Sequence, residues 1–141
     1  MAYIDAQATN NSTRSVKTFS DLNLNFTKNP ATKDVARLTD IEAVKRSVRN
    51  LILTNRFERP FRPELGSSVR DILFENITPL NAILLQDRIE EVILNYEPRA
   101  RLDQIIVQDE IDNNRYKVDI IFKIINMPEP ISITQFLERL R

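Results

Sequence analysis

The stretch Asn95-Tyr96-Glu97-Pro98-Arg99 separates a helical half of the chain from a stranded half, and it decides the fold. Pro98 disfavours helical geometry for the residue before it, so we expect a helix to end at about Tyr96 and the chain to leave it extended. In an extended backbone, side chains two residues apart point to the same side. Glu97 and Arg99 are therefore expected to project to the same side. They form either an incidental surface ion pair or a charged pair that is presented to a partner.

The helical half begins at Thr39-Asp40-Ile41-Glu42, which fits a capping box. In that motif the side chains of the first and fourth residues cover two amides that the helix leaves unpaired. Apolar residues then recur at spacings of three and four as far as about Thr54 or Asn55. This pattern predicts an amphipathic helix with one buried face.

Two further helices are predicted before the corner. Ser67 or Ser68 is expected to cap a short helix that follows Gly66, and Gly66 itself is expected at a positive φ. The next helix has the clearest start in the chain, with Thr78 as N-cap and Pro79 at the first helical position. The residues predicted to face the core are Val69, Ile72, Leu73 and Phe74 in the short helix, and Ala82, Leu84, Leu85, Ile89, Val92, Ile93 and Tyr96 in the longer one.

Residues 56–66 form a loop that contains two prolines, three arginines and two phenylalanines. We expect the prolines to stiffen the loop, and Phe57 and Phe61 to anchor it to the core. Arginines beside aromatic residues also occur in nucleic-acid binding surfaces, but Glu58 and Glu64 interrupt the positive charge. The sequence therefore favours a rigid surface loop that arginine–carboxylate pairs hold in place.

After Arg99 the hydrophobic period changes from 3.6 to 2, which predicts a sheet. Residues 102–108 form the first predicted strand, residues 109–115 a polar turn, and residues 116–125 a half-buried strand. The segment from residue 131 is compatible with a strand or a short helix, and its β-branched residues favour a strand. Three main helices followed by a small antiparallel sheet of about three strands make an α+β domain.

The domain organisation predicted from composition is one α+β domain over residues 35–141 with an arm before it. Residues 1–34 are polar and aperiodic, and we interpret them as an extended N-terminal arm that is partly disordered in isolation and docks through a few apolar side chains. A disordered tail remains an alternative. A weak alternation from Phe19 to Phe26 leaves a short strand open as well.

Composition excludes most enzyme classes. The 141 residues include no histidine, no cysteine and one glycine, so zinc sites, histidine-dependent triads and glycine-rich phosphate loops lack their residues. We expect no cofactor and no metal ion. Twenty basic residues balance 20 acidic ones, and no apolar run approaches the roughly 20 residues that span a bilayer, so neither nucleic acid nor a membrane is an expected partner.

An ordered set of motifs over residues 19–141 resembles the small baseplate wedge protein of contractile-tailed bacteriophages, the sheath-initiator family. The family also includes a baseplate component of type VI secretion systems, and an old label describes it as lysozyme-like. The motifs that carry the resemblance are residues 43–54, Arg59-Pro60-Phe61-Arg62-Pro63-Glu64-Leu65-Gly66, Leu73-Phe74-Glu75-Asn76, Thr78-Pro79 and Asn95-Tyr96-Glu97-Pro98-Arg99.

The resemblance implies a structural, non-enzymatic role in the virion, in a tail baseplate assembled in the host cytoplasm. It implies that Glu97, Pro98 and Arg99 bind other baseplate wedge proteins, at the helical core of the wedge. It also implies that the strands offer a sheet edge to which a tail sheath subunit adds its own strand. A free edge and a half-covered second face, here Ile121 and Ile125, suit such strand addition.

Two alternatives remain open at this point. A type VI secretion baseplate component would have the same structural role. A peptidoglycan-cleaving enzyme would need two carboxylates about 5–9.5 Å apart, one with a raised pKa. Glu97 is poorly suited because a neighbouring cation, Arg99, lowers the pKa of a carboxyl group. Glu64 and Glu75 qualify only by residue type.

Overall fold

The computed structural model describes residues 19–125 and 127–140, so the first 18 residues of the predicted arm lie outside the described residues. The predicted α+β class, with three helices ahead of a three-stranded antiparallel sheet, is confirmed. The elements are β1 (Ser20–Leu22), β2 (Arg37–Thr39), α1 (Asp40–Leu53), α2 (Val69–Leu73), α3 (Pro79–Tyr96), β3 (Ala100–Glu110), a 3-10 turn (Ile111–Asn113), β4 (Arg115–Ile124) and β5 (Pro130–Glu138).

The chain divides after Asp40 into two compact units. In the first unit β1 pairs with β2 as an antiparallel ribbon in which Ser20 lies opposite Thr39. The amide of Phe19 also donates to the side chain of Asp40 at 3.1 Å. The short strand that the sequence left open therefore forms, because β2 supplies the backbone partners that an isolated strand lacks.

The second unit contains the three helices and the larger sheet. The buried side chains of α1 are Ala43, Val44, Val48, Leu51 and Ile52, which follow the predicted spacing of three and four. Helix α3 packs against both α2 and β3. The Thr78 side chain accepts a hydrogen bond from the Asn81 amide at 3.2 Å, so the predicted N-cap of α3 is confirmed. Among the described residues, no helix combines the length and the apolar character that crossing a membrane requires.

The larger sheet has the order β3-β4-β5, with β4 in the centre. Every second side chain of β4 is at most 2% exposed, as the alternation predicted, and these residues are Tyr116, Val118, Ile120, Phe122 and Ile124. The last segment is a strand, β5, as predicted. The register of β3 against β4 shifts between Leu102 and Gln104, which marks a bulge in β3. In the predicted turn between β3 and β4, Asn114 has a positive φ of 51°.

Four predicted core positions are wrong. Phe57 is 82% exposed, Phe61 is 97% exposed and Phe74 is 53% exposed. The loop that holds Phe57 and Phe61 needs no aromatic anchor, because the Phe57 amide donates to the carbonyl oxygen of Pro63 and closes it. Leu84, predicted to face the core from α3, is also 43% exposed.

The start of α2 differs from the prediction as well. Ser68 is at the N-cap position but makes no side-chain capping hydrogen bond. The neighbouring Ser67 hydroxyl instead donates to the carbonyl oxygen of Ile52 at 2.6 Å. Ser67 therefore attaches this segment to the end of α1, and its hydroxyl is only a distant acceptor, at 3.5 Å, for the Val69 amide.

Candidate functional site

Helix α3 ends at Tyr96 and Glu97 leaves the helical region (φ −125°, ψ 76°), as predicted. The chain then turns at Pro98 and Arg99, where the sequence predicted that it would continue extended. The amide of Glu97 still closes the helix on the carbonyl oxygen of Ile93 at 3.0 Å. The amide of Ala100 then donates to the carbonyl oxygen of Glu97 at 3.1 Å, which makes Pro98 and Arg99 the central residues of a β-turn. The fixed φ of proline suits the first central position of such a turn.

The turn brings Glu97 and Arg99, the two charged residues of this corner, together in a bidentate ion pair. Nε of Arg99 donates to Oε1 of Glu97 at 2.6 Å, and Nη2 donates to Oε2 at 2.8 Å. The Glu97 side chain is 2% exposed and the Arg99 side chain 25% exposed. The expectation that Glu97 and Arg99 project together is confirmed. Because the Glu97 carboxylate is buried, the pair is not an incidental surface ion pair. We call Glu97, Pro98 and Arg99 the Glu97 clip.

The Glu97 carboxylate is charged in spite of its burial. Burial alone raises its pKa, but the hydrogen bonds from Arg99 and Ser47, together with the Arg99 charge, hold the pKa of Glu97 below its ordinary value of 4.5. The amide of Ile125 donates to the carbonyl oxygen of Arg99 at 3.1 Å. The clip therefore joins α1, through Ser47, to the end of α3 and to the residue that follows β4.

Ser47 is the member of this site that the sequence analysis missed. It lies on the buried stripe of α1, between Val44 and Val48. A polar side chain inside an apolar stripe requires a hydrogen-bonding partner. That position was the available signal, but the identity of the partner, Glu97, follows only from the packing of α1 against the corner.

Outside the clip, the carboxylates considered for catalysis lie on the surface. Glu64 and Glu75, the other carboxylates that sequence reasoning considered, are exposed and lie on different segments. A groove of about 220 Å³ at the start of β5 has a single carboxylate, Glu129, among its lining residues. Over the described part of the chain, no three His, Cys, Asp or Glu side chains are grouped so as to hold a metal ion.

The second candidate surface is the outer edge of β5. Among the described residues, β5 pairs with β4 along one edge only. The amide of Arg139 donates to the carbonyl oxygen of Asn114 at 3.0 Å and continues the register of β4 with β5. Because antiparallel strands alternate between bonded and non-bonded pairs, the amides of Ser132, Thr134 and Phe136 point away from β4.

The outer face of this sheet is partly apolar and partly charged. Ile121 is half-buried and Ile125 is 38% exposed, as the sequence predicted for a half-covered face. The carboxylate of Asp119 accepts from Thr134 at 2.6 Å and pairs with Lys117 at 3.0 Å. The Thr134–Asp119 hydrogen bond joins β5 to β4, whereas Asp119 and Lys117 both lie on β4. Along the far edge of β5, the carbonyl oxygen of Phe136 accepts from the Gln135 side chain at 2.9 Å.

Comparison with known proteins identifies the family. The family model described as "Baseplate wedge protein gp25" matches residues 39–129, which include the Glu97 clip and everything from α1 to β4. The chain belongs to this family. It is 38% identical over 99 residues to baseplate wedge protein gp25 of Enterobacteria phage T4, over 70% of this chain and 75% of that protein. As a baseplate wedge protein, it is a structural component of a tail baseplate, and the virion location predicted from the sequence is confirmed.

Two solved structures resemble the baseplate wedge protein. A chain in the cryo-EM structure of the anti-feeding prophage baseplate is 27% identical, with a TM-score of 0.60 over 87% of each chain. A crystal structure of a putative tail lysozyme from Geobacter sulfurreducens is 22% identical, with a TM-score of 0.64 over 70% of this chain and 89% of that one. At that identity the second likeness shows a common fold and nothing about activity.

Proposed function

We propose that this baseplate wedge protein docks on the helical core of the wedge through the Glu97 clip and starts tail sheath assembly through the free edge of β5. The observation that carries the proposal is the bidentate Glu97–Arg99 pair, in which a buried carboxylate fixes a partly exposed guanidinium at a turn. A guanidinium held in this way is oriented before the partner arrives, so little conformational entropy is lost on binding.

The three clip residues have different parts in this docking. Glu97 is 2% exposed, so it orients Arg99 and stays out of contact with the partner. Pro98 is exposed at the outer corner of the turn, beside the accessible part of Arg99. The surface offered to the wedge core is therefore the Pro98 ring and the outer edge of the Arg99 guanidinium, which suits a carboxylate or a helix C-terminus on the partner.

Replacing Pro98 with glutamate should weaken wedge docking by at least about tenfold, because it places an unpaired carboxylate at the centre of the proposed contact. The variant should still fold, since Pro98 is exposed and the turn accepts other residues at this position. Docking is measured by co-purification with wedge complexes built from the neighbouring baseplate subunits. Pro98→Ala is the control and should dock normally. If Pro98→Glu docked normally, the clip would not be part of the interface.

The proposal places sheath initiation on β5 because the two edges of the sheet differ. The bulge between Leu102 and Gln104 interrupts β3, and bulges of this kind protect an edge from pairing. The register of β5 with β4 is continuous from Pro130 to Glu138. A regular edge of this length is a template for one added strand of a sheath subunit.

The variant Ser132→Pro should abolish sheath nucleation while the chain still folds. The Ser132 amide points away from β4, so proline removes a donor from the free edge without removing a bond from the β4–β5 ladder. Sheath growth on assembled baseplates is followed by electron microscopy, and Ser132→Ala, which keeps the amide, is the control. If sheaths grow at the normal rate from baseplates that contain Ser132→Pro, strand addition to β5 is wrong.

We further infer that the protein is not an enzyme. The lowered pKa of Glu97 keeps its carboxyl group charged, whereas a glycosidase acid must be protonated near neutral pH. Both oxygens of Glu97 are also occupied by Arg99, which leaves no free acid to meet a sugar. The likeness to a phage T4 protein favours a phage tail over a type VI secretion baseplate as the assembly in which this role is performed.

A further inference from the structure

Two phenylalanine side chains protrude from residues 56–66, the segment between α1 and α2 that we call the Phe loop. Phe57 is 82% exposed and Phe61 is 97% exposed. Single exposed apolar residues are ordinary, but two aromatic rings within five residues of each other form a contact surface of the kind found at protein interfaces. Because neither ring contributes to the core, the fold does not explain why these positions are aromatic.

The Phe loop holds its shape without help from these rings. The amide of Phe57 donates to the carbonyl oxygen of Pro63 at 2.8 Å, which closes the loop across its base. The amide of Asn55 donates to the Glu58 carboxylate at 2.8 Å. Phe57 has a φ of 65°, a left-handed conformation that is uncommon for an aromatic residue. An ordered loop with exposed aromatic side chains is organised for binding before a partner arrives.

The loop lies beside the Glu97 clip. The Tyr96 hydroxyl donates to the carbonyl oxygen of Glu64 at 2.8 Å, and Tyr96 is the residue that precedes Glu97. Arg56 also pairs with Glu91 of α3 at 3.4 Å. Both attachments hold the loop against the last turns of α3, so the loop and the clip are neighbouring parts of one end of the second unit.

The charges of the loop indicate the chemistry of a partner. Arg59 and Arg62 are exposed, and among the described residues neither has a carboxylate within ion-pairing distance. Oε2 of Glu58 accepts from the Asn55 amide, and Glu64 is the other carboxylate of the loop. In the chain, Arg59 and Arg62 stand on either side of Phe61 and the two glutamates lie further out. The most exposed ring is therefore flanked by two unpaired guanidinium groups, which complement an apolar pocket bordered by carboxylates.

We propose that the Phe loop is a second docking surface, whose Phe57 and Phe61 rings enter an apolar pocket with an acidic rim on a neighbouring baseplate protein. The inference rests on the proposed function, because it extends the clip interface along the end of α3. It assigns a binding role to residues outside the clip. The clip orients the protein through one guanidinium, and the Phe loop contributes most of the apolar contact.

The test uses the full chain and wedge complexes reconstituted from the neighbouring baseplate subunits without it. Phe61→Ser should weaken binding by at least about tenfold, because buried aromatic anchors dominate interface energies. The double reversal Arg59→Glu/Arg62→Glu should weaken it similarly and reduce its dependence on salt. Ile111→Ser is the matched control, since Ile111 is 66% exposed but follows the far end of β3. All three variants should unfold at the same denaturant concentration as the parent chain.

The outcomes separate this inference from the proposed function. If Pro98→Glu loses docking and Phe61→Ser binds within twofold of the parent, the clip docks and the Phe loop does not. If Phe61→Ser loses docking and Pro98→Glu does not, the loop inference stands and the clip proposal fails. Binding of the parent chain to phosphatidylglycerol vesicles or duplex DNA that Phe61→Ser abolishes, with wedge binding unchanged, would overturn a protein partner for the loop.

Discussion

Replacing Glu97 with alanine should lower the free energy of unfolding by about 3 kcal/mol, which is a large loss for a residue in a turn. The substitution removes the two short hydrogen bonds that Arg99 donates to Glu97, and it removes the carboxylate to which Ser47 of α1 bonds. Deleting one member of a buried pair costs about 3–5 kcal/mol, and the lower end applies because Arg99 is 25% exposed and can partly rehydrate. Urea unfolding at pH 7 measures the change.

The matched control for this prediction is Glu110→Ala. Nε of Arg115 lies 2.6 Å from Oε2 of Glu110, the same separation as in the clip, but both side chains reach solvent. Glu110→Ala should lower the free energy of unfolding much less than Glu97→Ala, because exposed ion pairs contribute little to stability. Equal losses in the two variants would show that burial of Glu97 adds nothing to the strength of its pair.

Unfolding the parent chain and Glu97→Ala at several pH values identifies the electrostatic part of the stability loss at Glu97. The folded-state pKa of Glu97 lies below its ordinary value of 4.5, so its stabilising contribution is complete above pH 4.5 and is lost as the pH falls through the folded-state pKa. The stability difference between the parent chain and Glu97→Ala should therefore shrink below pH 4.5. A difference that stays constant from pH 7 to pH 3 would assign the loss to packing alone.

The features that the sequence predicted well are those that local rules determine. Alternating apolar residues placed the buried face of β4, because successive side chains of a strand point to opposite faces. Thr78 and Pro79 placed the start of α3, because a hydroxyl cap and a proline suit the first helical turn. The position of Glu97 beside Arg99 was also predictable, since a proline between them limits the geometries of the corner.

The features that the sequence did not predict depend on tertiary packing. Hydrophobicity alone suggested that Phe57 and Phe61 belong to the core, but a loop that closes on its own backbone keeps both rings in solvent. The bond from Ser47 to Glu97 joins residues that no short-range pattern connects. The turn at Pro98 and Arg99, where an extended chain was predicted, is closed by the hydrogen bond from the Ala100 amide to the carbonyl oxygen of Glu97. Each of these deviations lies in, or contacts, a segment for which we propose a binding role.

At Gly66 the loop passes close to the backbone of Thr54 and Asn55, the residues that follow α1. A Cβ atom on this residue would lie 2.5 Å from the carbonyl oxygen of Asn55 and 2.8 Å from that of Thr54. Its φ of 144° is also strained for any residue with a side chain. The carbonyl groups of Thr54 and Asn55 cannot easily move away, because Ser67 holds this part of the backbone. The Ser67 amide donates to the carbonyl oxygen of Thr54 at 2.8 Å, and the Ser67 hydroxyl donates to the carbonyl oxygen of Ile52.

Gly66→Ala should therefore lower the free energy of unfolding by about 4 kcal/mol, as backbone strain and steric overlap each cost on the order of 1–3 kcal/mol. Urea unfolding measures the total, and faster hydrogen exchange at the Ser67 amide should show that the attachment to α1 is what breaks. Ser68→Ala is the control, because Ser68 makes no capping hydrogen bond and its loss should cost less than about 0.5 kcal/mol. If Gly66→Ala cost no more than that control, the close approach of the loop to the end of α1 would not be a constraint on the folded chain. The loop would then lack the rigid base on which its two exposed phenylalanines depend for docking.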